Sequence, residues 1–172
     1  LVDQVAYRLT TTLIKRPDRA ELDRIAREVD EATALFAERG WSEKPANYHR
    51  PPPMPATART DQRRSGNVRY TNLTWIDGYA PDADEPGAER FTGYPRNHVA
   101  RAKILEHRTR ERPWLICVHG FGMGSPGLDL RALRALRFHR DLDLNLAFLT
   151  LPFHGKRSPT SKARPLLPSA DV

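Results

Sequence analysis

A chain of 172 residues, 39% hydrophobic and 28% charged, suits one domain with a core of ordinary size, and no apolar run approaches the roughly 20 residues of a membrane span. Its single cysteine, Cys117, excludes a disulfide framework and is compatible with a reducing compartment. The formal charge of +7 is concentrated in residues 98–172 and is mostly arginine, a Lys-to-Arg drift of the kind a GC-rich genome produces without any nucleic-acid partner.

Residues 1–14 show neither the basic start nor the cleavage site of a secretory signal, so a cytoplasmic protein is the expectation. Val2, Val5, Leu9 and Leu13 recur at helical spacing, and Lys15, Arg16 and Pro17 close that helix. Asp18 with Glu21 then reads as a capping box, and Leu22, Ile25, Val29, Ala32 and Phe36 mark one face, expected to point to the core, up to Gly40. Residues 1–44 are thus predicted as an N-terminal helical hairpin. Residues 45–66, with PPPMP and a polar run, read as an extended Pro-rich linker, and 67–172 as the main domain.

Asn67–Ile76 (NVRYTNLTWI) is strand-like, and Asp77–Asn97 is polar and turn-rich, a long loop. His98–His107 alternates, with Ala100, Ala102 and Ile104 set against Arg101 and Lys103, the pattern of a strand with one wet face that pairs with the first. WLICVH, from Trp114, is apolar at consecutive positions, which predicts a strand covered on both faces in a parallel sheet. A helix follows over Leu128–Arg140, with Leu128, Ala132, Leu133, Ala135 and Leu136 inward and Arg131, Arg134, Arg137 and Arg140 outward. The helix dipole accounts for that arginine row without a phosphate ligand. A second buried strand, NLAFLTL, completes a right-handed β-α-β crossover. The end of the chain, LPSADV, places Ser169 and Asp171 like the cap of a further helix, and the start lacks an initiator Met, so the sequence reads as a piece of something longer.

Between strand and helix lies HGFGMGSPG, residues 119–127. Gly122–Gly127 fits G-x-G-x-x-G, but the next strand ends in Leu151, Pro152, Phe153 and His154 without the acidic residue a dinucleotide fold needs. Ser125 in MGSPG is one substitution from a nucleophile elbow, yet the residue after that serine must donate its N–H, and Pro126 has none. The remaining reading is a turn whose free amides receive an oxyanion. His119 and His154 have no third ligand at metal-binding spacing.

The run of strand, HGFGMG, helix, strand and LPFHGKRS resembles the third and fourth strands of the α/β-hydrolase superfamily, with its His-Gly-x-Gly turn and Pro-x-His-Gly-x-x-Ser loop. The resemblance covers about residues 98–158 and, at its widest, takes in the strand at Asn67. It implies an α/β fold: an incomplete α/β-hydrolase sheet, an initial hairpin plus a parallel β-α-β unit, behind the N-terminal helical hairpin. It implies that the Phe121 N–H is an oxyanion donor, that Gly122 and Met123 shape the rim, that His119 and Gly120 hold the turn, and that His154 and Gly155 organise the second loop. The substrate would be a small acyl compound, with no cofactor and no metal. No G-x-S-x-G occurs in the sequence, so the triad would lie beyond Val172 and this chain alone would be inactive. The strand at 114–119 would then have a bare edge, covered by the remainder of the same polypeptide or by a second chain. The alternative is a non-catalytic relative that serves as a binding or partner-association module. Nucleic acid is not an expected partner, because no aromatic platform accompanies the arginines.

Overall fold

The computed structural model describes residues 17–109, 111–120 and 122–159. The expected first helix, residues 1–14, lies outside them, as do Phe121, Ser169 and Asp171, and of the helical hairpin only the second arm is described. The chain divides into two compact units. Among the described residues, 17–52 with 79–93 make the first and 53–78 with 94–159 the second. The division thus falls at Pro52 and Pro53, inside the expected 45–66 linker, and 79–93 belongs with the first unit rather than forming a free loop.

In the first unit, helix α1 (Arg19–Glu38) starts where the sequence places it. Asp18 accepts from the Glu21 N–H at 2.9 Å and Glu21 accepts from the Asp18 N–H at 2.9 Å, a complete capping box. Gly40, at φ +65°, turns the chain, and Phe36, Trp41 and Tyr48 form an aromatic trio with centroids 5.0–5.2 Å apart. Glu28 accepts from both terminal guanidinium nitrogens of Arg90, in the short helix α2 (Ala88–Thr92), at 3.0 and 2.8 Å, and these bonds hold its carboxyl below the usual range. One expectation fails: Leu22 and Val29, on the predicted core face, are each more than half exposed. The helix forms because its caps and local pairs suffice for the ends, while its apolar stripe is only partly covered.

The second unit is a mixed sheet of five strands, β1 (Ala58–Ser65), β2 (Val68–Ile76), β3 (Val99–Leu105), β4 (Trp114–Val118) and β5 (Asn145–Thr150), in the order β1-β2-β3-β5-β4. β2 and β3 pair antiparallel and β4 and β5 pair parallel, both as expected, while β3 and β5 are antiparallel. The strand β1 corrects the linker assignment. Its sequence, ARTDQRRS, carries almost nothing to bury, so no hydrophobic period betrays it. It is held instead by its backbone ladder to β2 and by polar cross-strand pairs, Gln62 to Thr71 and Asn72 to Asp61, both at 2.8 Å.

Two further corrections concern burial. Lys103 was expected on a wet face, yet it is buried, because β3 lies inside the sheet and its Arg101–Lys103 side faces the covering helix. β4 was expected to be covered on both faces, yet Trp114, Ile116 and Val118 are exposed, and only Leu115 and Cys117 pack against the core of Val68, Tyr70, Leu130, Ala135, Leu146 and Phe148. The helix after the glycine turn is also shorter than predicted. α3 runs Pro126–Ala132 and stops because Arg134 adopts φ +48°, the left-handed conformation that terminates helices. A single wide turn, Arg137–Asp141, follows. The break swings Ala135 into full burial and takes the row Arg131, Arg134, Arg137 and Arg140 off a single helix face.

Candidate functional site

Both predicted loops lie at the C-terminal ends of the parallel strands β4 and β5. His119 follows β4 and is buried. Its Nε2 accepts from the Leu151 N–H at 3.1 Å, which requires the ring proton on Nδ1, and that proton is donated to Gly120 O at 2.9 Å. One histidine in a fixed tautomer thus ties the end of β4 to the end of β5. Among the described residues, and leaving aside their chain neighbours, nothing lies within 4 Å of where a Cβ would stand on Gly120 or Gly122, and Gly122 holds φ +76°. The Met123 N–H is committed to Gly120 O at 3.2 Å, so Met123 closes the turn and its N–H is not free to donate elsewhere.

The two loops touch at their glycines. A Cβ on Gly124 would stand 3.0 Å from Gly155 N and 3.2 Å from His154 Cβ, and one on Gly155 would run into Gly124 O. Both positions also have positive φ, +103° and +51°. Their smallness is therefore a packing requirement as well as a conformational one. His154 is buried, its Nδ1 donates to Pro152 O at 2.8 Å, and its ring lies 5.1 Å from that of His119.

A buried charge network fixes the turn from behind. Lys103 Nζ donates to Asp129 Oδ2 at 2.8 Å and to Thr150 Oγ1 at 3.3 Å, and Asp129 Oδ1 accepts the Gly124 N–H at 2.8 Å. Asp129 sits in the first turns of α3, where the dipole favours an anion. Taking away one partner of such a pair strands the other charge, at about 3–5 kcal/mol. The second loop has its own anchor in Arg157, whose buried guanidinium donates to Asp77 Oδ2 at 2.6 Å, Asn97 O at 2.8 Å and Thr150 O at 3.3 Å. Burial pulls the Arg157 pKa below its ordinary value, and Asp77 partly offsets this. Asn97 also accepts the N–H of Phe153 at 3.1 Å. Phe153 is held at φ +60° with its ring edge-on to Tyr94.

Two relatives are similar to this sequence. Uncharacterized proteins of Mycobacterium tuberculosis, one from strain CDC 1551 / Oshkosh and one from strain ATCC 25618 / H37Rv, are each 36% identical to it over 154 residues, which is 87% of this chain and 36% of the relative. The chain therefore spans about a third of the length of these relatives. No family model and no solved structure matches it.

The structure brings His119, Gly120, Gly122, Met123, His154 and Gly155 together on two facing loops; Phe121 lies outside the described residues. Sequence reading missed Lys103, Asp129, Asn97 and Arg157. Asp129 carried a usable signal, an acid in the first turns of a helix that follows a glycine turn. Lys103 carried none, because its partner lies 26 residues away. Among the described residues no cluster of three or more His, Cys, Asp or Glu is placed to hold a metal, and no helix is long and apolar enough to cross a membrane.

Proposed function

We propose that this chain is the oxyanion-hole portion of a serine-type hydrolase of the α/β-hydrolase kind, acting on an ester or similar acyl substrate. The observation that carries the reading is the glycine-to-glycine contact of the HGFGMG and LPFHGKRS loops at the C-terminal ends of adjacent parallel strands. Those are the two motifs on which the resemblance rests. The fixed His119 tautomer and the Asp129 bond to Gly124 support it further, since an oxyanion donor works only on a turn that does not reorganise during the reaction.

In this reading the Phe121 N–H is the donor to the oxygen on which the tetrahedral intermediate gathers charge, Gly122 and Met123 border that place, and the nucleophile comes from a strand laid against the open side of β4. Attack on the acyl carbon, stabilisation of the oxyanion, and hydrolysis of the acyl-enzyme follow in turn. In the longer polypeptide that contains this segment, Phe121→Pro is expected to lower kcat on p-nitrophenyl esters by about 100- to 1000-fold, with the melting temperature little changed. An unaltered kcat would refute the donor assignment, and failure of any serine to react with a fluorophosphonate would refute the mechanism.

A second reading, a non-catalytic module that associates with a partner, draws on the exposure of Trp114, Ile116 and Val118 at the sheet edge, a surface that favours pairing with another chain. Turnover separates the two readings: a full-length protein that binds acyl compounds without hydrolysing them would favour the second.

A further inference from the structure

Gly124 and Pro126 also form part of the wall of a small cavity, about 80 Å3 in volume, on the α3 side of the sheet. Its other walls bring together four cationic side chains, Arg63 from β1, Arg101 and Lys103 from β3, and Lys156 from the loop after β5, with Tyr70 and Thr150 beside them. Two carboxylates answer these charges. Asp129 binds Lys103, and Asp61 pairs with Arg63, with Lys156 near enough to act on it. Arg101 has neither: its Nε is buried with no hydrogen-bond partner, and its guanidinium forms no ion pair among the described residues. Arg157 also lies within electrostatic reach of Arg101, its own charge being answered by Asp77.

At about 30 Å3 per water, the cavity holds two or three waters or one compact ion. Water can meet the Arg101 N–H but leaves the excess positive charge uncompensated, whereas an oxyanion meets both, and a planar guanidinium with neighbouring ammonium and hydroxyl groups is the donor set such ions select. We propose that this cavity binds a single oxyanion group, the phosphate, sulfate or carboxylate end of a small molecule, with Arg101 as its principal ligand. The site is too small for a sugar or base, so the remainder of the ligand lies outside it. The proposal goes beyond the hydrolase reading and does not depend on it; where both hold, the acyl substrate carries an anionic group.

The test is titration of the 172-residue protein with sodium phosphate, sodium sulfate, sodium acetate and sodium chloride at constant ionic strength, followed by calorimetry and thermal shift. Saturable binding of at least one oxyanion and none of chloride is expected, and the order of the three assigns the group. Arg101→Met is expected to weaken that binding by about tenfold or more, while Arg134→Gln, outside the cavity, leaves it unchanged. Circular dichroism checks that Arg101→Met is folded; should it not be, Lys156→Met, on an exposed side chain, must still weaken binding. Responses that follow ionic strength alone, or that survive both cavity substitutions, overturn the site. Since no turnover is measured, that outcome leaves the hydrolase reading standing, and loss of the hydrolase reading leaves this site standing.

Discussion

β4 and β5 lie side by side, parallel, with comparably apolar sequences, WLICV and NLAFLT, yet they meet opposite surroundings. Leu146 and Phe148 of β5 are 0% and 1% exposed, while Trp114, Ile116 and Val118 of β4 are 51%, 64% and 55% exposed. Composition does not separate them; position does. β5 sits between β3 and β4 and turns Leu146 and Phe148 into the core under α3. Among the described residues β4 has a neighbour on one side only, so Leu115 and Cys117, opposite Leu146 and Phe148, reach the same core only half-buried. On the other face Trp114, Ile116 and Val118 are exposed where their β5 partners Asn145, Ala147 and Leu149 are buried or half-buried. An apolar run thus states what a strand demands of its surroundings, and the strand order decides whether the demand is met.

The largest effect that can break this comparison is a pair of truncations. Phe148→Ala empties the centre of the core and is expected to cost about 3–5 kcal/mol. Ile116→Ala removes a side chain already in solvent and is expected to cost less than about 1 kcal/mol. Urea unfolding of the two variants checks this. A loss at Ile116 comparable to that at Phe148 would mean that the outer face of β4 is buried in solution, against its exposure here.

The same contrast between filled and open space recurs between the glycines of the two loops. Gly155→Ala must fit a Cβ against Gly124 O at φ +51°, and is expected to cost about 2–3 kcal/mol from overpacking and backbone strain together. Gly122→Ala, at φ +76° but with nothing within 4 Å, carries the backbone term alone, about 1 kcal/mol. Thermal unfolding of the two variants distinguishes them, and equal losses would remove the claim that the two loops are pinned by contact.

Much of this arrangement is legible in the sequence, for identifiable reasons. The capping box of α1, the parallel pairing of β4 with β5 and the identity of the two loops all arise from local signals, a spacing of three residues, a continuous apolar run, a cluster of glycines. What escaped is non-local or carries no hydrophobic signature. β1 is polar because it is an edge strand stabilised by its backbone ladder, so its residues read as linker. The burial of Lys103 depends on a partner in α3 that no window along β3 contains. The end of α3 at Arg134 is set by a left-handed residue that is neither glycine nor asparagine, where continuing arginine periodicity favours more helix. The glycine clusters mark the two loops in the sequence, and the buried groups that hold them came from geometry.

The smallest expected change in stability belongs to the most direct test of the open β4 face. Ile116→Lys puts a charge on an already solvated position, so its stability should stay within about 0.5 kcal/mol of the parent. Its effect should appear in association instead. A sheet edge with Trp114, Ile116 and Val118 exposed offers apolar surface and, among the described residues, a backbone edge without a partner strand, and a lysine there is the device by which natural edges avoid pairing. Sedimentation velocity across a concentration series should show self-association of the parent chain that Ile116→Lys reduces, whereas Thr71→Lys on the inner strand β2 should not. A parent that stays monomeric at high concentration would mean that the open face is not adhesive, and that what distinguishes β4 from β5 is exposure without a partner to seek.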